Sequence, residues 1–251
     1  MAEEEKIREH AKQALQALTD KKKGWKEKIK DFLWEILIIV VAINLTLWFH
    51  NWSDKRHDRE LEKNFLIGTR ADLVVVKQSL EDNIVAFQPA LDYVDSVYIQ
   101  IKEHRIDKAF VDTNSWNFTD YFFVSYNNSR FENFKSSGYL RLIENDSLSM
   151  AITGLYTITL PGQITLDNIQ NDLATRNFIT YVGSKAQTDF SSETMIVSNL
   201  LNDSDVQLWI LSRKSGLIMR KRQKQATIKE VERVIDKIDR ELKSRFGYKE
   251  K

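Results

Sequence analysis

The sequence contains no cysteine. That excludes disulfide bridges, cysteine-based metal sites, thiol catalysis and lipid attachment through a cysteine, although it does not identify the compartment. Proline occurs twice, as Pro89 and Pro161, and glycine eight times in 251 residues. So little punctuation predicts a mostly helical chain. An excess of one charge is missing too: 37 basic residues against 36 acidic ones leave a net charge of +1. This balance gives no reason to expect nucleic acid as a partner. The hydropathy is that of an ordinary soluble protein, and long apolar runs are absent with one exception.

The exception is residues 32–49, FLWEILIIVVAINLTLWF, with one charge, Glu35, and neither glycine nor proline. At a rise of about 1.5 Å per residue such a run is just long enough to cross a bilayer core as a helix. In hydrocarbon the backbone must satisfy its own hydrogen bonds, so helix is the conformation expected. Trp34 lies near one end; Trp48, Phe49 and Trp52 lie near the other. Tryptophan at both ends matches the aromatic belts of a spanning helix, so Trp34, Trp48 and Trp52 are read as interfacial anchors. The competing reading is the core helix of a soluble domain, but core helices are usually shorter.

Three regions follow: a cytoplasmic tail (1–31), a transmembrane helix (32–52) and a helical domain (53–251). Within the tail, Ile7, Ala11, Ala14, Leu15 and Leu18 recur at helical spacing and predict a short amphipathic helix over 3–18. Lys21, Lys22, Lys23, Lys26, Lys28 and Lys30 precede the span, against Lys55, Arg56, Arg59 and Lys63 in the fifteen residues after it. That bias favours an inside N-terminus and an outside, periplasmic domain. No small-residue cleavage site follows the apolar run, so the same segment is expected to target and anchor the chain.

The domain reads as helix throughout. Leu61, Phe65, Leu73, Val76, Leu80, Ile84 and Phe87 form an apolar stripe over 53–87. Pro89 is expected to kink or stop that helix, with periodicity resuming over 91–106. Residues 112–134 are crowded with aromatic side chains, which fit the thick part of a helical core better than a ligand pocket. Gly138 marks a helix end, and Asn145 or Asp146 caps the next helix. Pro161 and Gly162 are expected to break that one, with another over 165–181. A polar loop over 183–190, a short helix near 192–201 and a second long helix from Ser204 complete the reading. Ser204 and Gln207 have capping-box spacing; Thr227 and Glu230 repeat it, allowing a break near Gln225. The predicted fold is all-α: one N-terminal transmembrane helix, then a periplasmic helical bundle with two long antiparallel helices.

At this point the chain resembles single-span proteins of Bacteroidota classed under a domain of unknown function. The resemblance rests on Trp34-Glu35-Ile36 before the aliphatic run, His50-Asn51-Trp52-Ser53-Asp54 after it, and Arg59-Glu60-Leu61-Glu62 opening the helix. Phe134-Lys135-Ser136-Ser137-Gly138 and Leu142-Ile143-Glu144-Asn145 also fit. Trp34 stands where the family pattern has glycine, His50 where it has asparagine, and Ala42 where it has a mid-span glycine. The resemblance implies an inner-membrane protein with a helical periplasmic domain and brings no catalytic residues.

The polar groups in the span are the sharpest candidates. A carboxylate a turn inside a bilayer is costly unless neutral, paired or near water, so Glu35 asks for a partner or for the interface. Asn44 lies deeper and can bond across helices. Nine residues apart, Glu35 and Asn44 fall on opposite helix faces, while Ala42 and Thr46 form a small-xxx-small pair, with Ala42 on the Glu35 side. Two such faces suit a helix wedged between neighbours. The basic stretch 213–224 reads as a solvated helix face or a surface for anionic lipid or an acidic partner. His50 and His57, with Asp54 and Asp58 nearby, read as interfacial polar groups rather than metal ligands. No phosphate loop, nucleophile elbow or metalloprotease motif is present. The reading is therefore non-enzymatic, with no cofactor and no metal: an accessory or scaffolding subunit of an inner-membrane complex of transporter, secretion or ion-driven motor type. Its partners are the lipid bilayer and other integral membrane proteins, with homo-oligomerisation allowed. The alternative is a periplasmic ligand-binding sensor that signals through a separate protein.

Overall fold

The computed structural model describes residues 8–13, 15–16, 25–119, 121–189, 191 and 194–248. The chain divides into two compact units, Met1–Glu60 and Leu61–Lys251. In the first unit residues 8–13, 15 and 16 are helical. Parts of the expected helix over 3–18 and part of the lysine-rich segment lie outside the described residues. Helix α1, Trp25–Lys102, opens in this unit. Its apolar stretch is long and apolar enough to cross a membrane, with a mean hydropathy of 2.2 over eighteen residues and none of that window buried.

The second unit is a helical domain. It contains the rest of α1, then α2 (Lys108–Thr113), α3 (Ser129–Ser136), α4 (Asp146–Gly154), α5 (Leu160–Phe178) and α6 (Ser204–Phe246). A small antiparallel hairpin joins β1 (Gln187–Asp189) to β2 (Thr194–Ile196), with Thr188 opposite Met195.

The two long helices of this unit run antiparallel. Arg70 Nε bonds Asp239 Oδ1 at 2.5 Å and Lys77 Nζ bonds Glu232 Oε1 at 2.7 Å. Further along, Lys221 Nζ reaches Gln88 Oε1 at 2.7 Å, and Lys214 pairs with Asp95. Along α1 these contacts are spaced by 7, 11 and 7 residues, and α6 steps back by the same amounts. That repeat is close to the natural 3.6-residue turn, so the same faces meet along the whole contact with little supercoiling.

Each end of the domain has its own apolar core. In the first, Leu66, Leu73 and Leu80 of α1 and Val231, Val234 and Ile238 of α6 close over α3, α4 and the turn after it. Phe65 stacks on Phe134 at 3.8 Å between centroids, and Phe131 on Tyr156 at 4.9 Å. In the second, Phe87, Val94 and Val97 of α1 meet Val206, Ile210 and Leu217 of α6. Trp209 contacts the rings of Phe118 and Phe178 there. Each such side chain, fully buried, contributes about 1.5–3 kcal/mol of transfer free energy.

Several expectations are corrected. Pro89 does not stop α1; it sits inside the helix with an exposed side chain. The carbonyl it leaves without an amide partner belongs to Val85, whose side chain is 71% exposed, so water can satisfy it. Pro161 and Gly162 do not break the chain either. A π-helical turn, Leu155–Thr159, lies between α4 and α5 and widens the helix just before Pro161. Such a turn accommodates a residue that cannot donate to the carbonyl four positions back. The short helix expected near 192–201 is β2 followed by the 3₁₀ turn Ser198–Leu200. Here Asp112 accepts the amides of Val197 and Ser198, both at 2.8 Å, and holds the irregular backbone. The cap of α6 is Asp203, one residue before Ser204, and the helix runs unbroken past Gln225.

Of the aromatic stretch, Phe118, Phe122, Phe131 and Phe134 are core as expected, whereas Trp116, Tyr121 and Phe123 are exposed, and the stretch is only partly helical. Phe118 and Phe122 enter the second core and Phe131 and Phe134 the first, so residues 118–134 carry the chain between the two. Two features read from sequence recur. Gly138 has φ 73° just past α3, a left-handed conformation that favours glycine, and the Asn145 side chain accepts from Leu148 N at 3.2 Å to cap α4.

The antiparallel register is checked by paired cysteines, since the chain has none of its own. With a short bis-maleimide, Lys77→Cys with Glu232→Cys should cross-link within the monomer, whereas Lys77→Cys with Lys214→Cys should not. Equal yields from both pairs would refute the register.

Candidate functional site

In the first unit the side chains of residues 32–49 are exposed, except that Glu35 is half-buried. Trp34, Trp48 and Trp52 are exposed, and the Arg56 guanidinium lies 5.9 Å from the Trp52 ring centre, within cation–π reach. Asn44 Nδ2 donates to Val40 O at 2.7 Å, and Thr46 Oγ1 donates to Ala42 O at 2.9 Å. Both polar groups therefore bond one turn back in their own helix, the usual recourse of a side-chain donor surrounded by apolar groups. The Thr46 proton is committed to Ala42. Asn44 keeps a second amide proton and its carbonyl oxygen. His50 Nε2 lies 3.6 Å from Asp54 Oδ2, with both side chains exposed.

A site that sequence reasoning missed lies between the two apolar cores. On α6 the buried stripe runs Leu217, Arg220, Lys224, Thr227, Val231. On α5 it runs Leu160, Gln163, Asp167, Asn171, Ala174, Phe178. Each stripe is apolar at its ends and polar in its middle, and the middles meet. Asp167 Oδ1 accepts a hydrogen bond from Arg220 Nε at 3.2 Å, and Asp167 Oδ2 accepts one from Lys224 Nζ at 2.5 Å. The three side chains are 2%, 1% and 0% exposed respectively. Thr227 Oγ1 lies 3.3 Å from Gln163 Oε1 one turn away. Arg220 Nη2 also donates to Phe122 O at 2.9 Å, and Asn171 Nδ2 donates to the same oxygen at 3.1 Å. The layer thus satisfies the buried Phe122 carbonyl, which belongs to non-helical backbone.

The basic stretch 213–224 is accordingly not a solvated face. Arg213, Arg220 and Lys224 are buried, and Lys214 pairs with Asp95 while lying 4.1 Å from the Tyr98 ring centre. The signal was available: Arg220, Lys224 and Thr227 continue the spacing of the apolar residues on either side of them. Burial pulls the Lys224 ammonium below its ordinary pKa, opposed by the bond and charge of Asp167 and reinforced by the charge of Arg220. One carboxylate between two cations leaves the layer with an excess positive charge.

A second ionic cluster closes the first core. Arg245 Nη1 donates to Glu62 Oε1 at 2.7 Å and to Glu241 Oε1 at 3.0 Å, and Nη2 lies 2.9 Å from Glu144 Oε2. Burial pushes the Glu62 carboxyl above the usual carboxylate range, opposed chiefly by the hydrogen bond from Arg245. Nearby, Gly68 allows a close approach: a Cβ there would sit 2.3 Å from the Arg130 guanidinium, which lies across α1 to reach Asp72 at 2.8 Å.

Among the described residues no three His, Asp or Glu side chains gather where they could hold a metal ion. Of the buried ions, Asp167 pairs with Arg220 and Lys224, and Glu62 and Glu241 pair with Arg245. No family model matches the chain, no curated protein matches it, and no solved structure matches it. What defines the class is therefore the chain itself: a helical protein with one helix long and apolar enough to cross a membrane and a domain whose two cores meet at an ionic layer.

The layer predicts an asymmetric response to mutation. Asp167→Asn leaves two buried cations facing each other and should cost about 3–5 kcal/mol. Lys224→Met leaves a one-to-one ion pair and should cost distinctly less. Because the folded chain releases the Lys224 proton at lower pH than the unfolded chain, the unfolded state binds more protons between that depressed value and the ordinary 10.5. Stability should rise with pH across that window, and Lys224→Met should lack the rise. Urea unfolding followed by circular dichroism as a function of pH checks both statements. Equal costs for the two variants, with a flat pH difference between wild type and Lys224→Met, would contradict them.

Proposed function

We propose that the chain is a non-enzymatic accessory or scaffolding subunit of a larger inner-membrane complex, of transporter, secretion or ion-driven motor type. The helix of 32–52 spans the inner membrane with the tail inside, and the helical domain stands in the periplasm and engages a partner there. The observation that carries this reading is the span itself: its apolar side chains are exposed, yet it keeps Glu35 and Asn44 on opposite faces. In hydrocarbon a polar group with remaining hydrogen-bond capacity is best satisfied by a neighbouring helix. Thr46 contributes less to such a contact, since its proton is used within the helix; Ala42 on the Glu35 side gives a neighbour room to approach. The domain suits a holding role. One buried carboxylate joins two cations between α5 and α6, and the domain's two long helices are held in one register.

A second reading, a periplasmic ligand-binding sensor that signals through another protein, draws on one observation, a cavity of about 250 Å³ between α5 and α6.

The deciding experiment is gentle purification of the tagged full chain from its native membrane, with mass and composition read from the intact particle. The expected result is a reproducible assembly with other integral membrane proteins, recovered several-fold less well with Glu35→Gln and Asn44→Leu together. A monomer or homo-oligomer alone, even after cross-linking in cells, would overturn the scaffolding reading.

A further inference from the structure

At the entry to its apolar stretch, α1 carries a groove whose lining changes from cationic to apolar along the helix axis. Lys26, Ile29, Lys30, Leu33, Trp34 and Leu37 line it. Steps of three and four residues put these side chains on one face. All six are exposed. Lys26 and Lys30 lie one helical turn apart, and among the described residues neither has a salt-bridge partner. None of the described lining residues is a carboxylate; Asp31, next along the chain, is not part of the lining. Beyond Lys30 the groove continues over Leu33 and Leu37, a rise of about 10 Å along the axis.

Two uncommitted ammonium groups beside an apolar strip match one ligand chemistry, a phosphate anion joined to hydrocarbon. Lysine is a compact point charge that binds phosphate well. Its stem lies along apolar surface while the ammonium reaches outward, so two lysines a turn apart can close on one phosphate. Leu33 and Leu37 gain by covering hydrocarbon. A zwitterionic headgroup would bring its own ammonium against the lysines, so a headgroup of net negative charge is favoured. A free phosphate would take the cations and leave the leucines uncovered. We propose that this groove binds an anionic phospholipid, its phosphate between Lys26 and Lys30 and an acyl chain along Leu33 and Leu37. The site rests on the reading that residues 32–52 span the membrane with the tail inside, and it names the lipid that the tail-side end of the span holds.

The test titrates the full-length protein, in a mild non-ionic detergent, with palmitoyl-oleoyl phosphatidylglycerol or with phosphatidylcholine of the same chains, and reads retained lipid by native mass spectrometry. The expected result is saturable retention of phosphatidylglycerol, at least about tenfold tighter than of phosphatidylcholine. Lys26→Gln with Lys30→Gln should bring the two lipids level. Lys55→Gln with Lys63→Gln removes the same charge beyond the other end of the apolar stretch and should leave the preference intact. Inorganic phosphate in large excess should not displace the lipid. Equal retention of the two lipids, a preference that survives Lys26→Gln with Lys30→Gln, an equal loss in the Lys55 and Lys63 pair, or displacement by inorganic phosphate would each overturn the proposal. Alkaline extraction of the wild-type protein from its native membrane separates the two levels of the reading. Retention in the membrane with no lipid preference overturns the lipid site alone, whereas release into the supernatant overturns the span and the site with it.

Discussion

One carboxylate, Asp167, holds two buried cations, Arg220 and Lys224, at the level where the two apolar cores of the domain meet. Without it the α5–α6 contact would place two positive charges in a dry interior. With it, the same residues fix the pairing of α5 with α6 and anchor the non-helical backbone at Phe122. Apolar side chains of similar volume are often neutral or stabilising when they replace a buried ion pair. The specific effect of the layer is therefore register: sliding α5 along α6 by a turn would part every one of these contacts.

The register of the long helices follows a similar rule on the outside. Cations sit on α1 at Arg70 and Lys77 and on α6 at Lys214 and Lys221, so polarity reverses part-way along the pair. Half-exposed pairs of this kind contribute little stability individually. Their arrangement nonetheless matches only one direction and one offset of the two helices. Inward ion pairing and outward ladder together describe a domain whose helices are held in one register.

Much of this was legible in the residues. The apolar stripe at Phe65, Leu73, Val76 and Leu80 marked the first long helix, and short-range capping marked Gly138 and Asn145. What escaped depended on tertiary context. Pro89 is tolerated because the carbonyl it orphans belongs to an exposed residue, Val85, and Pro161 because a π turn precedes it. The hairpin at 187–196 has strands too short to show alternation. The ionic layer escaped because charged residues on a helix are more often solvated, and only their phase with Leu217 and Val231 distinguishes them. In the apolar stretch of α1, the residues announced polar groups but not that Asn44 and Thr46 bond back to their own helix.

The central claim is that both cores act as one cooperative body joined at Asp167. Hydrogen exchange on the full-length protein in nanodiscs, followed as urea is raised, tests it directly. The account predicts that amides of α1 over the first core (66–80) and over the second (87–97) lose protection at a common midpoint. Two separate midpoints would contradict it, and would describe two independently melting halves instead of a single scaffold.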